Sequence, residues 1–346
     1  MMNMKIVKKI APFILITALA GSILAGCSNE KTASDSESAK AKEDKVIQYS
    51  SSAGSVEIAE LAEELGFLGD LKLDNIGSTS GGPEDIQLTA TKQLDFGNAF
   101  NGAIIKSVSE GVKIKSVIGS YGVDEKTKGG LFVLEESPIK KAKDLIGKKI
   151  GVNTLGAQAE FFNVQYLREK GLSEKEIDQV QLVVIPTANA EQILRSKQND
   201  AVRLSELTKD RALEKGGIRE ITNDLDIYGE AFTAGSYFFA DEYIEKNPNT
   251  VKRFVNGVAK AHEWSKKTPR KEVVATLEKI VKGRNNNEPT ENLKYWESFG
   301  VASTGGLIQQ EEYGVWIDYL VKDDQLKKGQ VKLKDLYTNE FNSYAK

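Results

Sequence analysis

The stretch QLTATKQLD at residues 87–95 has a second copy in the chain, because QILRSKQND at residues 192–200 repeats its pattern at a constant offset of 105 residues. Both stretches are typical of a helix end that runs into a short strand. Over so short a window, chance similarity is the alternative interpretation. Taken as a repeat, the pair predicts two lobes that each contain the same helix–turn–strand element.

Short apolar segments alternate with amphipathic helical patterns on both sides of these stretches. Residues 46–49 predict the first strand, and apolar residues spaced i, i+3, i+4 and i+7 from Ile58 predict a helix that ends at Gly66. Further strands are predicted at residues 71–76, 113–118, 131–134, 149–152, 181–185 and 237–239. Strands that alternate with helices predict an α/β fold with mostly parallel sheets and flanking helices.

Residues 1–26 have the pattern of a secretory signal peptide. Three lysines before residue 10 are followed by an apolar run over residues 10–24, which is short for a membrane-spanning helix. Cys27, the only cysteine, follows Leu-Ala-Gly and resembles the acylated cysteine of the bacterial lipobox. We therefore predict lipidation at Cys27 and an extracytoplasmic location on the cell membrane. The alternative is a plain signal peptide with an incidental cysteine.

The chain that remains after signal removal is acidic. Its formal charge falls from −3 to −6, because residues 1–26 contain three lysines and no acidic residue. This balance argues against nucleic acid as a partner. Residues 28–45 contain no large apolar side chain, so residues 27–45 are predicted to form a disordered, lipidated tether. The remaining length of about 300 residues predicts two domains.

Four motifs, in the right order, resemble the solute-binding proteins of nitrate, sulfonate and taurine ABC importers. They are QLTATKQLDFGNA at residues 87–99, SPI at 137–139 with KDLIGKKIGV at 143–152, LRSKQNDAV at 194–202, and NPNTVKRF at 247–254. The resemblance implies the two-lobed type II periplasmic-binding-protein fold, in which the chain crosses between the lobes twice. It also implies a receptor that delivers its solute to a membrane permease, which a cytoplasmic ATPase drives.

The same resemblance implies domain boundaries. By analogy, the first lobe comprises residues 46–130 and 236–346, and the second lobe comprises residues 131–235. Hinge segments are predicted near residues 126–130 and 230–236, which are polar or contain glycine and lie next to strands. We predict a monomer.

Loops that follow predicted strands provide the candidate ligand contacts, because ligands of open α/β sheets bind beyond the carboxyl ends of the strands. The first lobe is predicted to contribute Ser51, Ser52, Ala53, Gly54, Asn98 and Ala99. For the serines, the alternative is that they only cap the following helix. Asn98 and Ala99 match the pocket loop of the family, with a plain turn as the alternative.

The second lobe is predicted to contribute one loop and one arginine. The loop after the strand at residues 149–152 contains Leu155, Gly156, Ala157 and Gln158, where the second-lobe anion contacts of the family lie. Arg203 follows the Asp-Ala strand, and its guanidinium can hold a sulfonate or carboxylate with two hydrogen bonds. A solvated surface arginine is the alternative.

The predicted ligand is a small anion of the alkanesulfonate, taurine or nitrate type. Tyr121 is a candidate cleft residue, with a core or rim position as the equal alternative. Residues 203–207 lack the aromatic residues that family members binding pyrimidine precursors usually show there. A thiamine-precursor or other heterocycle receptor is the alternative function. A surface protein that binds a partner and no solute is the third.

No motif predicts an enzyme. The glycine-rich loop at residues 77–83 lacks the Gly-Lys-Ser/Thr ending of a phosphate-binding loop, and no nucleophile elbow or dinucleotide fingerprint occurs. His262, the only histidine, falls on the apolar face of a predicted helix, which favours a packed histidine over a catalytic one. Too few His and Cys residues are present for a metal site built on them, and no cofactor is predicted.

Overall fold

The computed structural model describes residues 43–52, 54–284 and 288–345. The predicted signal peptide, the predicted lipidation site Cys27 and the candidate contact Ala53 lie outside these described residues. Within them, no helix combines the length and the apolar composition that a membrane span requires.

The last residues of the predicted tether pack against the folded chain. The carboxylate of Glu43 accepts hydrogen bonds from the Asn249 side chain at 2.6 Å and from the Thr250 backbone at 2.8 Å. The backbone N–H of Asp44 donates to the side chain of Asn247 at 3.0 Å. These contacts hold residues 43 and 44 at the start of a long helix, so this part of the predicted tether is packed and not disordered.

Strands and helices alternate along most of the described chain. The strands are β1 Val46–Tyr49, β2 Lys72–Asn75, β3 Phe96–Phe100, β4 Ile114–Val123, β5 Gly130–Leu134, β6 Lys149–Val152, β7 Gln181–Val184, β8 Ala201–Leu204, β9 Ile218–Asn223 and β10 Phe232–Ala240. The helices are α1 Ile58–Glu64, α2 Gly82–Ala90, α3 Asn101–Ser109, α4 Gln158–Glu169, α5 Glu174–Ile177, α6 Ala190–Arg195, α7 Glu206–Glu214, α8 Asp224–Tyr228, α9 Asp241–Lys246, α10 Pro248–Lys267, α11 Arg270–Gly283, α12 Gln310–Lys322 and α13 Leu333–Leu336. Short 3-10 helices lie at Ala142–Leu145, Thr187–Asn189, Glu291–Tyr295 and Thr304–Gly306.

The strands form three sheets, which divide between two lobes. The pair β1-β2 and the sheet β3-β10-β4 belong to the first lobe, and the sheet β7-β6-β8-β5-β9 forms the second. The chain leaves the first lobe between β4 and β5, through residues 124–129, and returns between β9 and β10, through residues 224–231.

Pairing in these sheets is mixed, where the sequence predicted mostly parallel strands. The pairs β1-β2, β6-β7 and β6-β8 are parallel, whereas β10 pairs antiparallel with both β3 and β4, and β5 pairs antiparallel with both β8 and β9. The antiparallel partners are β5 and β10, the two strands that follow a crossing. Each enters its new sheet from the hinge side, so strand–helix alternation alone does not predict its direction.

Side chains on alternate positions of the central strands fill the cores. In β10, Tyr237 and Phe239 pack with Phe254 of α10 on one face, while Phe238 packs with Trp316 of α12 on the other. This alternation is the period of two that a strand requires. The first lobe is therefore covered by helices on both faces of its central sheet.

The predicted repeat has the same backbone structure in both lobes. At the end of α2, Lys92 has φ 62°, and at the end of α6, Lys197 has φ 57°. The N–H groups of Lys92 and Gln93 donate to the carbonyls of Thr89 and Leu88. Lys197 and Gln198 repeat both bonds with Leu194 and Ile193, 105 residues later. Both helices therefore end in a Schellman motif that leads into a cleft-facing strand.

Candidate functional site

A cleft of about 310 Å³ lies between the two lobes. The loops after β1, β4, β6 and β8 line it, together with the loop before α2, the end of β3 and the segment at residues 293–299. Two of the contacts between the lobes lie at its edges. Gly81 lies so close to Thr154 that a Cβ there would be 3.1 Å from the Thr154 methyl group. In the other contact, Glu214 of α7 accepts hydrogen bonds from Lys294, at 3.2 Å, and from the Tyr295 hydroxyl. The two lobes therefore touch beside the cleft.

Asn98 organises the first-lobe wall of the cleft. Its side-chain amide donates to Glu57 Oε2 at 2.8 Å, and its side-chain oxygen accepts from the Ser120 hydroxyl at 2.6 Å. Its backbone N–H donates to Asp85 at 3.1 Å. Asn98 therefore joins α1, α2 and β4, and its polar atoms are used within the protein.

Glu57 is a carboxylate in an unfavourable environment. It precedes α1, lines the cleft, and accepts hydrogen bonds on Oε2 from Asn98 and from the Tyr237 hydroxyl, both at 2.8 Å. Burial, reinforced by the nearby negative charge of Glu60, raises the pKa of Glu57 to about 7. The charged form is penalised because it has lost water without gaining a cation.

Asp85 is also buried, but hydroxyl groups satisfy it. Its Oδ1 accepts hydrogen bonds from Ser50 and Thr79, both at 2.7 Å, while Oδ2 accepts from the Asn98 backbone. Burial nevertheless raises the pKa of Asp85. Asp85 fixes the loops after β1 and before α2 in place and presents their hydroxyl groups at the cleft.

The second-lobe wall is built around an ion pair. Arg203 Nη2 lies 2.7 Å from both carboxylate oxygens of Asp224, and the guanidinium carbon lies 3.8 Å from the centre of the Phe162 ring. The side chain of Arg203 is 7% exposed and that of Asp224 is 1% exposed. The N–H of Gly129 donates to Asp224 at 2.7 Å, and the N–H of Asp224 donates back to the Gly129 carbonyl at 3.0 Å. Arg203 is therefore tied to both crossings between the lobes.

Two hydrogen-bond donors on the cleft-lining side chains have no partner among the described residues. They are Nη1 of Arg203 and the indole Nε1 of Trp296, and both atoms are buried. A buried donor left unmatched costs about 1–3 kcal/mol. Both side chains line the cleft, so an acceptor that enters with the closing lobes can satisfy them.

Helix N-termini at the cleft are occupied by the protein's own carboxylates. The backbone N–H of Gly156 donates to Glu160 at 2.7 Å before α4. Before α2, the backbone N–H of Ser80 donates to Glu84 at 2.7 Å. These two backbone N–H groups therefore already have an acceptor within the protein.

The structure brings most of the predicted contacts to the cleft. The lining includes Ser51, Ser52, Asn98, Ala99, Tyr121, Ala157, Gln158 and Arg203. Gly54, Leu155 and Gly156 are not part of the lining. Leu155 is 48% exposed, and Gly54 turns towards Pro289, with its N–H donating to Glu288 at 2.7 Å.

Three important residues were not predicted. Glu57 directly precedes the apolar helix pattern of α1, a position that favours a carboxylate and could have marked it. Asp224 and Trp296 carry no local signal, because each reaches the cleft through a distant part of the chain.

The predicted packed histidine is observed: His262 is 1% exposed, its Nε2 lies 2.9 Å from the Gly119 carbonyl, and burial lowers its pKa to about 4.

Comparison with known proteins adds family and fold to this geometry. Residues 60–272 match the family described as NMT1/THI5 like. A provisionally named binding protein of Brucella abortus is 26% identical over 211 residues, which are 61% of this chain and 62% of that protein. The aligned region thus spans less than two thirds of the length of the curated relatives.

Two solved structures share the fold. A protein from Bordetella bronchiseptica superposes with a TM-score of 0.70 at 19% identity, covering 86% of this chain and 96% of that one. The alkanesulfonate-binding protein SsuA of Xanthomonas axonopodis pv. citri, bound to MOPS, superposes with a TM-score of 0.65 at 16% identity, covering 86% and 99%. The predicted two-lobed periplasmic-binding-protein fold is confirmed.

Proposed function

The chain belongs to the NMT1/THI5-like family, and from this premise we propose that it is the extracytoplasmic solute-binding protein of an ABC importer. Its two lobes close around a small organic solute with an anionic group, of the alkanesulfonate or taurine type. The loaded, closed form then docks on a membrane permease, and a cytoplasmic ATPase drives transport. Hinge closure of this kind needs no chemical step.

The unmatched guanidinium of Arg203 is the observation that carries this proposal. Its Nη2 already neutralises Asp224, so the pair is fixed in the wall before any ligand arrives. Nη1 has no partner in the described chain and belongs to a side chain that lines the cleft. An arginine held in this way can donate to a sulfonate or carboxylate without reorganising its charge partner. Inorganic anions such as nitrate rank behind organic ones, because aromatic and small apolar groups form part of the wall.

The membrane attachment is also part of the proposal. Cys27, which lies outside the described residues, is proposed to carry a lipid. We propose that the segment between Cys27 and residue 43, where the described residues begin, is the tether that gives the lobes access to the permease.

A heterocycle receptor is the second candidate, because aromatic side chains meet at one end of the cleft. Tyr295, Trp296 and Phe299 all line it, and the rings of Trp296 and Phe299 are packed edge to face with centroids 5.3 Å apart. This cluster comes from the returning segment of the chain. The absence of aromatic residues after β8, which counted against a pyrimidine in the sequence, therefore does not exclude a stacked ligand.

Thermal unfolding of residues 28–346 with a panel of solutes tests the proposal. The panel contains alkanesulfonates, taurine, nitrate, sulfate and pyrimidines. A ligand at 100 times its Kd stabilises the fold by about 2.7 kcal/mol, which raises Tm by several degrees. Arg203→Lys, which keeps a cation beside Asp224 but loses the forked donor, should abolish the shift given by an anionic ligand. Arg211→Lys on the same lobe, outside the lining, should retain it.

Each other outcome selects among the alternatives. A shift with pyrimidines alone, unchanged by Arg203→Lys, would replace the anion receptor by the heterocycle receptor. No shift with any solute, together with no small molecule detected by mass spectrometry of the purified protein, would favour a surface protein that binds a partner and no solute.

A further inference from the structure

We infer that the cleft selects a bipolar solute, whose nitrogen-bearing donor end is held by Glu57 in the first lobe and whose acceptor end is held by Arg203 and Trp296. This inference rests on the proposed function and specifies its ligand. It assigns Glu57 the role of a specificity-determining residue that separates solutes with an amino or ring N–H group from plain anions.

The hydrogen bonds of Glu57 leave an acceptor site for a ligand. Asn98 and Tyr237 both donate to Oε2, at 2.8 Å each, and the carboxylate also forms a capping box with the backbone N–H of Glu60. Among the described residues, no further side-chain donor reaches the carboxylate, and Glu57 remains only partly covered at the cleft surface. A carboxylate can accept about four hydrogen bonds, so an N–H group entering the cleft can add to these three.

The charge of Glu57 is also uncompensated within the described chain. Arg284, which contacts the start of α1, is engaged elsewhere: its Nη2 lies 2.7 Å from Glu60, and its Nη1 lies 2.9 Å from Glu288. Asp85, on the other side, adds negative charge to the surroundings of Glu57. Buried charges in proteins are normally paired, so a cationic or N–H-rich ligand group is the partner that this wall lacks.

Two other lining residues, one from each lobe, have the complementary deficiency. Arg203 Nη1 and Trp296 Nε1 are buried donors without an acceptor in the described chain. Glu57 and Trp296 belong to the first lobe and Arg203 to the second, so closure brings the acceptor and the donors around one solute. A ligand with N–H groups at one end and an acidic or acceptor group at the other satisfies all three.

A plain anion satisfies only half of this site. Sulfate, nitrate and simple alkanesulfonates have no N–H donor, and they would bring further negative charge near Glu57 and Asp85. Asp210 and Glu297 also line the cleft, where they pair with Lys209 and Arg270. The unpaired carboxylate of Glu57 and the unmatched donors of Arg203 and Trp296 therefore favour solutes that carry both ends.

Matched pairs of probes, titrated by isothermal calorimetry into residues 28–346, test the inference. One pair is taurine and ethanesulfonate, which differ by an amino group, and the other is 4-amino-2-methylpyrimidine and 2-methylpyrimidine. The amino member of at least one pair should bind 10-fold or more tightly than its partner. Glu57→Gln should reduce this preference to less than 3-fold. Glu64→Gln, on the same helix but paired with Lys279 outside the cleft, should leave it unchanged.

The failures of the two proposals are distinguishable. If ethanesulfonate or 2-methylpyrimidine binds as tightly as its amino partner, or if Glu57→Gln leaves the preference intact, the inference is wrong and the solute receptor stands. If no probe of either pair binds and no small molecule accompanies the purified protein, both are wrong. Circular dichroism and a cooperative unfolding transition verify that Glu57→Gln is folded.

Discussion

The two copies of the helix–turn–strand element have the same backbone and deliver opposite chemistry. After helix ends of the same conformation at Lys92 and Lys197, the two strands bring residues to the cleft at the same repeat position: Asn98 in the first lobe and Arg203 in the second. Asn98 is neutral and lies beside the carboxylate of Glu57. Arg203 is cationic and is paired with the carboxylate of Asp224.

The repeat therefore determines where Asn98 and Arg203 lie in the cleft, while contacts from distant segments determine the charge of each wall. Arg203 is neutralised by Asp224, which comes from the second crossing, and is stacked on Phe162 of α4. Glu57 receives only neutral donors. In the second-lobe wall the charge of Arg203 is therefore balanced by Asp224, and one donor of Arg203 is left unmatched. In the first-lobe wall the carboxylate of Glu57 has no cation beside it. The predictions below test this asymmetry.

Removing Asp224 should have the largest effect. Asp224→Ala leaves the Arg203 guanidinium buried without its counter-ion and removes the acceptor for the Gly129 N–H. Loss of one member of a buried pair costs about 3–5 kcal/mol. The free energy of unfolding, measured by urea denaturation, should fall by this amount.

A double variant separates the charge from the side chain. Arg203→Met with Asp224→Ala removes both charges, so it should lose less stability than Asp224→Ala alone. Lys92→Ala, which breaks an exposed ion pair with Glu242, should cost about 0–1 kcal/mol. If Asp224→Ala costs no more than Lys92→Ala, the ion pair does not define the second-lobe wall.

The uncompensated Glu57 should give the ligand-free protein a pH dependence that Glu57→Gln lacks. The pKa of Glu57 is raised from 4.5 to about 7 in the folded state, so the protonated form is favoured by folding. This contribution to the free energy of unfolding is fully present below pH 4.5, the pKa in the unfolded state, and is lost as pH rises through 7, the pKa in the folded state. Between pH 5 and pH 8, Glu57→Gln should therefore gain about 2 kcal/mol relative to the wild type.

Urea denaturation at several pH values measures this difference. Comparison with the wild type at each pH removes the contributions of other groups, including Asp85 and His262. Glu64→Gln, which makes the same change at an exposed position on the same helix, is the matched control. A Glu57→Gln difference that does not vary with pH would mean that the first-lobe wall holds no strained carboxylate.

Sequence predicted the scaffold of this comparison but not its charges. The repeat, the two lobes and the cleft positions of Asn98 and Arg203 follow from local patterns, because helix ends, turns and strand ends depend on neighbouring residues. Glu57, Asp224 and Trp296 acquire their roles from partners far away in sequence. Their charge balance depends on the crossings between lobes, and strand direction after those crossings was not predicted either.

The smallest expected effect tests whether the two copies of the helix–turn–strand element are equivalent at their helix ends. Lys92 and Lys197 adopt left-handed backbone angles, which glycine reaches without the steric cost that a Cβ imposes. Lys92→Gly and Lys197→Gly should each raise the free energy of unfolding by about 0.5–1 kcal/mol, and the double variant by the sum.

The control for this prediction is a helix end without a left-handed residue. Lys170→Gly at the end of α4, where φ is −86°, should give no gain. Because both lysines make only exposed ion pairs, with Glu242 and Glu136, the lost charges contribute little. Equal gains in urea denaturation would show that the repeat is one structural unit used twice. Unequal gains would place the asymmetry of the cleft in the helix ends as well as in the walls.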